Sequence, residues 1–168
     1  MINKKIVICT IVKNEEKNIK NFFYLIKKIS NFFLDYYVII VESDSTDKTY
    51  KIKNNIIKNF KGKLVKTKTK SNWPRTKKIS YCRNIYLKLI SSYKKLHKFD
   101  YVFVIDADNV NNQIDLNMLK KTIKDLPNNW IGFFPNQKFI YYDLYALRIK
   151  KYFEFDFFEK MISNLNLL

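Results

Sequence analysis

The stretch VFVIDADNV, residues 102–110, runs from four apolar residues into two acids, Asp106 and Asp108. An apolar run of this kind, bounded by polar residues, predicts a buried strand. Two carboxylates one residue apart repel each other, and the repulsion costs more near a protein core. We expect a cation to compensate, because carboxylate oxygens are the ligands that Mg²⁺ and Mn²⁺ prefer. The stretch therefore predicts a strand that ends at a metal site.

Strands and helices alternate along the rest of the chain. Apolar runs predict strands at 4–12, 36–42, 63–67 and 100–106. Helical spacing predicts a helix after Asn14, one after the loop 43–49, one at about 77–93 and one at 115–125. This alternation is typical of a mostly parallel sheet with helices on both faces. We expect an α/β fold with a Rossmann-like central sheet and a single domain spanning 1–168.

The first two helices each show one apolar face. Asn14 is expected to cap the first helix, with Glu15 and Glu16 in its first turn. The expected inner faces are Ile19, Phe22, Phe23 and Ile26, then Ile52, Ile56, Ile57 and Phe60. Further along, WIGFF (130–134) and 139–148 are strand-like, and a terminal helix follows.

The net charge of +17 raises the question of an anionic partner. Only three of the 32 basic residues are arginine, and proteins that read nucleic acid usually use arginine. We therefore expect mostly solvated lysines and no specific nucleic acid partner. The run KGKLVKTKTK (61–70) leaves a second interpretation, contact with an anionic substrate or peripheral contact with membrane headgroups.

Several classes of protein are disfavoured by single residue types. Cys9 and Cys82 both fall in apolar patterns, which indicates buried thiols, a reducing setting and a cytoplasmic location. His97 is the only histidine, so a His-rich zinc site is excluded, and a Ser/His/Asp triad would have to use a histidine with no motif around it. With Gly62 and Gly132 as the only glycines, the Walker loop and the dinucleotide fingerprint are absent. No apolar run approaches the roughly 20 residues that span a bilayer, and no stretch at the N-terminus looks like a signal peptide.

Polar side chains are predicted at the carboxyl ends of the strands, where open α/β sheets bind ligands. They are Thr10, Glu42, Asp44, Asp106 and Asp108. Arginine grips phosphate with a planar fork that lysine lacks. We expect Arg83 near the start of a helix, Arg75 in the loop before it, and Arg148 at the end of a late strand.

Four motifs in this order resemble the GT-A-fold glycosyltransferases: ICTIVKNEE (8–16), VESDSTDKT (41–49), YCRN (81–84) and VIDADN (104–109). The later YYDLYALR (141–148) resembles a segment of a subset that includes fungal capsule mannosyltransferases and enzymes of large DNA viruses. With the AT-rich composition, a viral source fits, and the location would then be host cytoplasm or virion. The resemblance spans roughly 5–148, with 1–110 as the nucleotide-sugar-binding part and 111–168 as a short acceptor-side part.

The resemblance implies a role for each matching residue. Thr10 and Glu42 would contact the nucleoside, with Glu42 accepting from the base. Arg83 would meet base or diphosphate with Arg75 as a second cation, Asp106 would hold ribose or metal-bound water, and Asp108 would ligate Mn²⁺ or Mg²⁺ directly. Asp44 stands where the family often has glycine, and Asp47 is expected at a helix start rather than in a contact.

The implied reaction moves a sugar from a nucleoside diphosphate, with UDP as the first expectation and GDP as the second, to a glycan or glycoprotein acceptor. An inverting enzyme needs a carboxylate that takes the proton of the acceptor hydroxyl. Asp143 is our candidate, with Glu154 and Asp156 in reserve. Two alternatives remain open: a sugar-phosphate nucleotidyltransferase, whose pattern has a Gly-rich N-terminal loop that is absent here, and a basic, non-catalytic polyanion-binding module.

Overall fold

The computed structural model describes residues 1–108, Asn111, 114–127 and Gly132. The chain divides into two compact units, Met1–Leu126 and Pro127–Leu168, and the description that follows concerns the first. Several predictions lie outside the described residues: the strands at 130–134 and 139–148, the terminal helix, Asp143, Arg148, Glu154 and Asp156. The single domain over 1–168 stays a prediction.

The described part of the chain alternates strands and helices as predicted. Its elements are β1 (Ile2–Val12), α1 (Ile19–Ser30), β2 (Phe33–Ser43), α2 (Thr49–Ile56), β3 (Gly62–Thr67), α3 (Arg75–Ser92), β4 (Tyr101–Val104) and α4 (Leu116–Asp125). Short 3-10 helices follow α2 at Ile57–Asn59 and α3 at Lys94–Lys98. Several bounds differ from expectation: α1 begins at Ile19 rather than just after Asn14, β2 begins at Phe33 rather than at 36, and β4 ends at Val104 rather than at 106.

The described strands form one parallel sheet in the order β3-β2-β1-β4. The chain steps from β1 outward to β3 and then returns to the other side of β1 for β4. The position between β1 and β4 is therefore the topological switch point, where open α/β sheets bind ligands at the carboxyl ends of the strands. This sheet, flanked by helices, confirms the predicted α/β class.

Helices cover the two faces of the sheet separately. One face, here called the α1 face, packs against α1, α2 and α4 around Ile8, Val38 and Ile40. The other, the α3 face, packs against α3 around Val7, Ile39 and Val41. The predicted inner faces of the first two helices are confirmed, since all eight residues belong to the core of the α1 face or pack against it.

Both cysteines are buried free thiols, as expected. They lie on the α3 face, Cys9 on β1 and Cys82 on α3. Burial raises the pKa of Cys9 to about 12, so this thiol stays protonated and unreactive at neutral pH. His97 is exposed among lysines, also as expected, with its Nε2 2.8 Å from the carbonyl oxygen of Ser91.

No helix among the described residues is long and apolar enough to cross a bilayer.

Candidate active site

The candidate site lies at the carboxyl edge of the sheet, where the ends of β1, β2 and β4 come together. Glu42 on β2 is in register with Val12 on β1 and with Lys66 on β3. On the other side of β1, the backbone N–H of Ile105 donates to the carbonyl oxygen of Cys9 at 3.0 Å. Asp106 follows directly, so the acids of the opening stretch lie at the switch point as the sequence predicts.

The loops after β1 and β2 are joined by hydrogen bonds. Asn14 Oδ1 accepts from the backbone N–H of Thr46 at 2.8 Å, and the backbone N–H of Glu15 donates to Thr49 Oγ1 at 2.8 Å. Asp47 accepts from the backbone N–H of Glu16 at 3.1 Å and from that of Thr49 at 2.9 Å. These bonds fix the edge of the site before any ligand arrives, which lowers the entropic cost of binding.

Asn14 is therefore not a helix cap, and that prediction was wrong. Its backbone is left-handed, with φ of 54°, and Asn18 occupies the N-cap position of α1. Asparagine tolerates this conformation better than most residues. Asparagine is common both at helix N-caps and in left-handed turns, so the sequence around Asn14 does not choose between the two. The hydrogen bond to Thr46 in the neighbouring loop favours the turn. The expectation that Asp47 belongs to a helix start is confirmed by its bond to Thr49.

Asp44 ties the loop after β2 to the loop after β3. Its φ of 56° is the left-handed conformation in which glycine is the common residue. Its carboxylate accepts from the hydroxyl of Thr69 at 2.6 Å and from the backbone N–H of the same residue at 3.2 Å. The bond from the hydroxyl lowers the pKa of Asp44, so it stays ionised at neutral pH.

Thr10 and Glu42, expected to contact the nucleoside, both lie below the surface. Each is 1 % exposed. The hydroxyl of Thr10 donates to the carbonyl oxygen of Ile11 at 3.3 Å. Glu42 Oε1 accepts from the backbone N–H of Ser45 at 3.0 Å, while Oε2 has no hydrogen-bond partner within the described chain. A base would reach Glu42 only after the loop that follows it moved.

Lys53 is a buried cation that the sequence analysis missed. It lies on α2 with 0 % exposure, and its Nζ has no hydrogen-bond partner among the described residues. Burial lowers its pKa to about 8, while the nearby charge of Glu42 acts in the opposite direction. A signal was available, since Lys53 stands four residues before Ile57 on the inner side of this segment. A buried carboxyl group, that of Glu42, and a buried amino group, that of Lys53, therefore lie near the carboxyl end of β2.

We expect the stability of the protein to rise between about pH 8 and 9. The pKa of Lys53 is about 8 in the folded chain, against an ordinary value of 10.5, so above pH 8 the unfolded chain binds the proton that the folded chain has released. Lys53 alone contributes about 1 kcal/mol over this window, and the difference between wild type and Lys53→Met isolates it, because the raised pKa values of Cys9 and Cys82 act against the rise. Urea unfolding in reducing buffer at pH 7, 8 and 9 measures it.

The upper limit of this window is set by Cys9, whose pKa is raised from 9.0 to about 12. Above pH 9 the unfolded chain loses a thiol proton that the folded chain keeps, which lowers stability. The variant Lys53→Met is the matched control and should lose the rise between pH 8 and 9. Equal pH dependence in wild type and variant would show that Lys53 is not its source.

The helix α3 brings Arg83 to the acidic side of the site. The hydroxyl of Tyr86 is buried beside Cys9, and its pKa is raised mainly by burial. The charge of Arg83 lowers the pKa of this hydroxyl and that of Asp106 raises it, so both charged groups lie within electrostatic range of Tyr86. Arg83 itself is exposed and available to an anionic ligand.

The positions of Arg75 and Arg83 relative to α3 differ from those that the sequence predicts. Arg75 is the first residue of the helix rather than part of the preceding loop, and Arg83 is the ninth, not close to the start. At 1.5 Å per residue they are about 12 Å apart along the axis. Arg83 therefore lies more than two turns from the N-terminus of the helix, and Arg75, also exposed, is at that N-terminus.

Asp106 and Asp108 present the oxygen donors that a divalent ion needs. Both are exposed, and they alternate with the buried residues Ile105 and Ala107. Asn111 donates to the carbonyl oxygen of Asp106 at 2.7 Å and steadies the turn. Within the described ranges, no group of three or more His, Cys, Asp or Glu is arranged around a metal position. Two carboxylates completed by water and phosphate oxygens is a donor set that fits Mg²⁺ or Mn²⁺.

A parallel α/β sheet with two acids at its switch point is the arrangement of the open α/β proteins that bind ligands at the carboxyl edge. Residues 7–166 match the model of glycosyl transferase family 2, and the chain belongs to this family. The predicted resemblance to glycosyltransferases is thereby confirmed at the level of the family. The particular likeness to viral and fungal mannosyltransferases stays a prediction.

Solved structures of TarS from S. aureus are similar to the chain. The structure of TarS 1–349 gives a TM-score of 0.48 at 22 % identity and covers 71 % of this chain and 31 % of that one. The same fragment in complex with UDP gives 0.45 at 23 %, covering 62 % and 27 %. A third TarS structure gives 0.44 at 23 %, covering 62 % and 16 %. The chain thus spans about a third of the length of the first of these structures. Among curated proteins, no sequence matches it.

Proposed function

We propose that this chain is a metal-dependent glycosyltransferase that takes a sugar from a nucleoside diphosphate and transfers it to a glycan or glycoprotein acceptor. A UDP-sugar is the first choice of donor and a GDP-sugar the second. The observation that carries the proposal is the position of Asp106 and Asp108, at the switch point of the sheet in a member of glycosyl transferase family 2. The alternatives, a nucleotidyltransferase and a non-catalytic module, have no comparable support.

The donor diphosphate would lie between α3 and the end of β4. Arg83 would pair with its phosphate oxygens, since it is exposed and, like Asp106, lies within electrostatic range of Tyr86. Arg75 would add a second positive charge further out. Because the bond from sugar to phosphate breaks with its electrons going to the diphosphate, fixed cations stabilise the leaving group more strongly than the bound donor.

A divalent ion held directly by Asp108, with Asp106 on its water or on the ribose, would neutralise charge on the same diphosphate. The two exposed carboxylates suit this role because Mg²⁺ and Mn²⁺ are commonly bound by one or two carboxylates plus substrate phosphates. Asp106 also orders the turn through its backbone carbonyl, which accepts from Asn111.

Recognition of the base would fall to Glu42, with Thr10 beside it on β1. Glu42 Oε2 is buried without a partner in the described chain, and a ring N–H of uracil or guanine would supply one. A buried carboxylate left unpaired is costly, so bases that lack this donor would be rejected. The loop 43–48 would have to move for the base to enter.

The acceptor side rests on residues outside the described ranges. Asp143 is proposed as the general base that takes the proton of the acceptor hydroxyl, with Glu154 and Asp156 as substitutes. The support is the pattern of 139–148, in which alternate residues place Asp143 with Tyr141 and Tyr145, apart from the more apolar set.

Replacing Arg83 by lysine is expected to weaken donor binding although the charge is kept. Lysine cannot make the bidentate contact, and loss of a charge-assisted hydrogen bond costs about 1.5–3 kcal/mol. Calorimetric titration of UDP in the presence of Mn²⁺ measures the change. The variant Lys88→Gln, on the same helix and also exposed, is the control and should bind as the wild type does. Unchanged affinity of Arg83→Lys would remove this residue from the donor site.

A donor screen tests the proposed function as a whole. Purified chain is incubated with Mn²⁺ and a panel of UDP-, GDP-, CDP- and ADP-sugars, and free nucleoside diphosphate is measured. Release from UDP-sugars first and GDP-sugars second, lost on chelation, is the expected result. A panel in which no donor is hydrolysed and no nucleotide binds would contradict the proposal, and consumption of nucleoside triphosphate with sugar phosphate would indicate a nucleotidyltransferase.

A further inference from the structure

The positive charge of this protein is concentrated in one segment. Residues 48–99 contain 17 basic side chains and no Asp or Glu, so the charge of this segment equals the net charge of the whole chain. The rest of the chain is neutral in sum. A composition bias toward lysine would enrich lysine everywhere but would not empty a segment of 52 residues of its acids. The segregation requires a reason beyond composition.

The structure places most of this segment on the α3 side of the molecule. The segment includes β3, which is the last strand on its side of the described sheet, and then α3 and the 3-10 helix that follows. The described salt bridges are Lys4–Asp100, Lys48–Glu16 and Lys61–Asp35, so the 12 basic residues of 63–99 make no ion pair within the described chain. Most of these side chains are exposed.

Along α3 the exposed cations alternate with exposed apolar groups. Lys77, Tyr81 and Lys88 are spaced by four and seven residues, so they share one side of the helix, while Cys82 and Tyr86 face the sheet. Tyr81 packs edge-to-face on Trp73, with ring centroids 5.4 Å apart. Leu87 is 51 % exposed. Over 18 residues, about 27 Å, α3 therefore shows a basic outer side with aromatic and aliphatic groups among the charges.

Lysine ammonium groups lie over the aromatic rings of this side. The Nζ of Lys77 is 4.9 Å from the centroid of Trp73, and that of Lys95 is 5.2 Å from the centroid of Tyr93. A nucleic acid base would have to displace these cations to stack on the rings. A bilayer can bind without displacing them, because its headgroups contact the ammonium groups while Trp and Tyr side chains lie at the membrane interface. Lysines on an edge strand also prevent strand pairing, but that role does not extend to α3.

We propose that this side of the protein is a docking surface for anionic phospholipid bilayers. The docking surface is defined by Lys70, Lys77, Lys88 and Lys95 together with Trp73 and Tyr81. The occupant follows from charge complementarity, because four exposed lysines that form no salt bridge among the described residues match the negative surface of a bilayer. The scarcity of arginine, with only Arg75 and Arg83 in the segment, favours diffuse attraction to headgroups over recognition of nucleic acid phosphates.

Vesicle sedimentation of the full chain tests the proposal. Vesicles of phosphatidylcholine with 30 % phosphatidylserine should bind the chain, vesicles of phosphatidylcholine alone should not, and added salt should weaken binding. A lysine near an anionic bilayer is worth about fivefold in partitioning, so changing Lys70, Lys77, Lys88 and Lys95 together to Gln should lower it by about a hundredfold or more. The matched control changes Lys17, Lys20, Lys121 and Lys124 to Gln, four exposed lysines on or beside α1 and α4. Partitioning of this control onto the vesicles should fall by less than about tenfold, because the control loses only the general effect of four charges on net charge.

Three results would overturn the proposal. Failure of the wild type to bind the anionic vesicles would do so directly. If the two four-lysine variants lost vesicle binding equally, net charge and not this surface would govern binding. If the chain bound oligouridylate more tightly than vesicles, and only the variant of the four docking-surface lysines lost this binding, the surface would be assigned to nucleic acid. Equal urea midpoints for both four-lysine variants exclude misfolding as the cause, and a single-lysine series replaces a four-lysine variant that fails to fold.

Discussion

Replacement of Asp108 by asparagine is expected to lower sugar transfer by about a thousandfold or more. Asparagine keeps the shape of the side chain but removes the negative charge that would hold the divalent ion. A metal contributes several kcal/mol to stabilising charge on a leaving phosphate, and each 1.36 kcal/mol is tenfold in rate. Steady-state release of nucleoside diphosphate, in saturating Mn²⁺ and with the donor that the wild type uses, measures the loss.

The matched control is Asp125→Asn, which removes one acid from the end of α4. It should transfer at the wild-type rate, because Asp125 is exposed and belongs to no strand end of the sheet. If Asp108→Asn kept metal-dependent transfer within about tenfold of wild type, the direct ligand would have to be another residue.

Replacement of Glu42 by glutamine is expected to destabilise the fold by about 1–3 kcal/mol, because it removes the negative charge that acts on the buried ammonium group of Lys53. Glutamine retains an oxygen that can accept from Ser45, so the hydrogen bond to the loop is conserved. What disappears is the negative charge near Lys53, which is itself 0 % exposed. Urea unfolding at pH 7 measures the loss.

Adding Lys53→Met to this variant should restore the stability to about the wild-type value, since both charges are then replaced by neutral groups of similar size. The control is Asp35→Asn, which breaks the pair between Asp35 and Lys61 at 2.6 Å. That pair is partly solvated and should contribute less than about 1 kcal/mol. A double variant as unstable as Glu42→Gln alone would show that the two buried groups do not interact.

The sheet could be predicted because each strand carries its own signal. The run at 36–42 is apolar on both faces, and the strand observed at Phe33–Ser43 contains it with a few residues added at the ends. The end of β4 was less certain, since it pairs with β1 only from Tyr101 to Val104 and then turns away. Periodicity identifies an element, while its last residues depend on which neighbour they meet.

The carboxyl edge could be predicted only in part. The parallel order of strands brings Glu42 and Asp106 to one edge whatever their side chains do, and this follows from alternation alone. Whether a side chain at that edge is open to a ligand depends on the loops. Glu42 is buried because Ser45 folds back onto it, a contact between residues whose sequence predicts no more than a loop.

Lys53 and Asn14 show why the remaining details were out of reach. A lysine on the inner side of a helix segment is normally assigned to the surface, and the nearby charges of Glu42 and Asp47 oppose the effect of its burial. The left-handed backbone of Asn14 is decided by a bond to Thr46, 32 positions away. Both depend on contacts between loops, which local patterns do not encode.

The central claim is that a nucleoside diphosphate binds at this edge through a divalent ion held by Asp108. Isothermal titration of UDP into the purified chain tests it most directly, in Mn²⁺ and again in excess chelator. The expected result is binding by the wild type in Mn²⁺, no measurable binding in chelator, and loss of binding in Asp108→Asn but not in Asp125→Asn. Binding of equal strength in Mn²⁺ and in chelator, or undiminished Mn²⁺-dependent binding by Asp108→Asn, would contradict it.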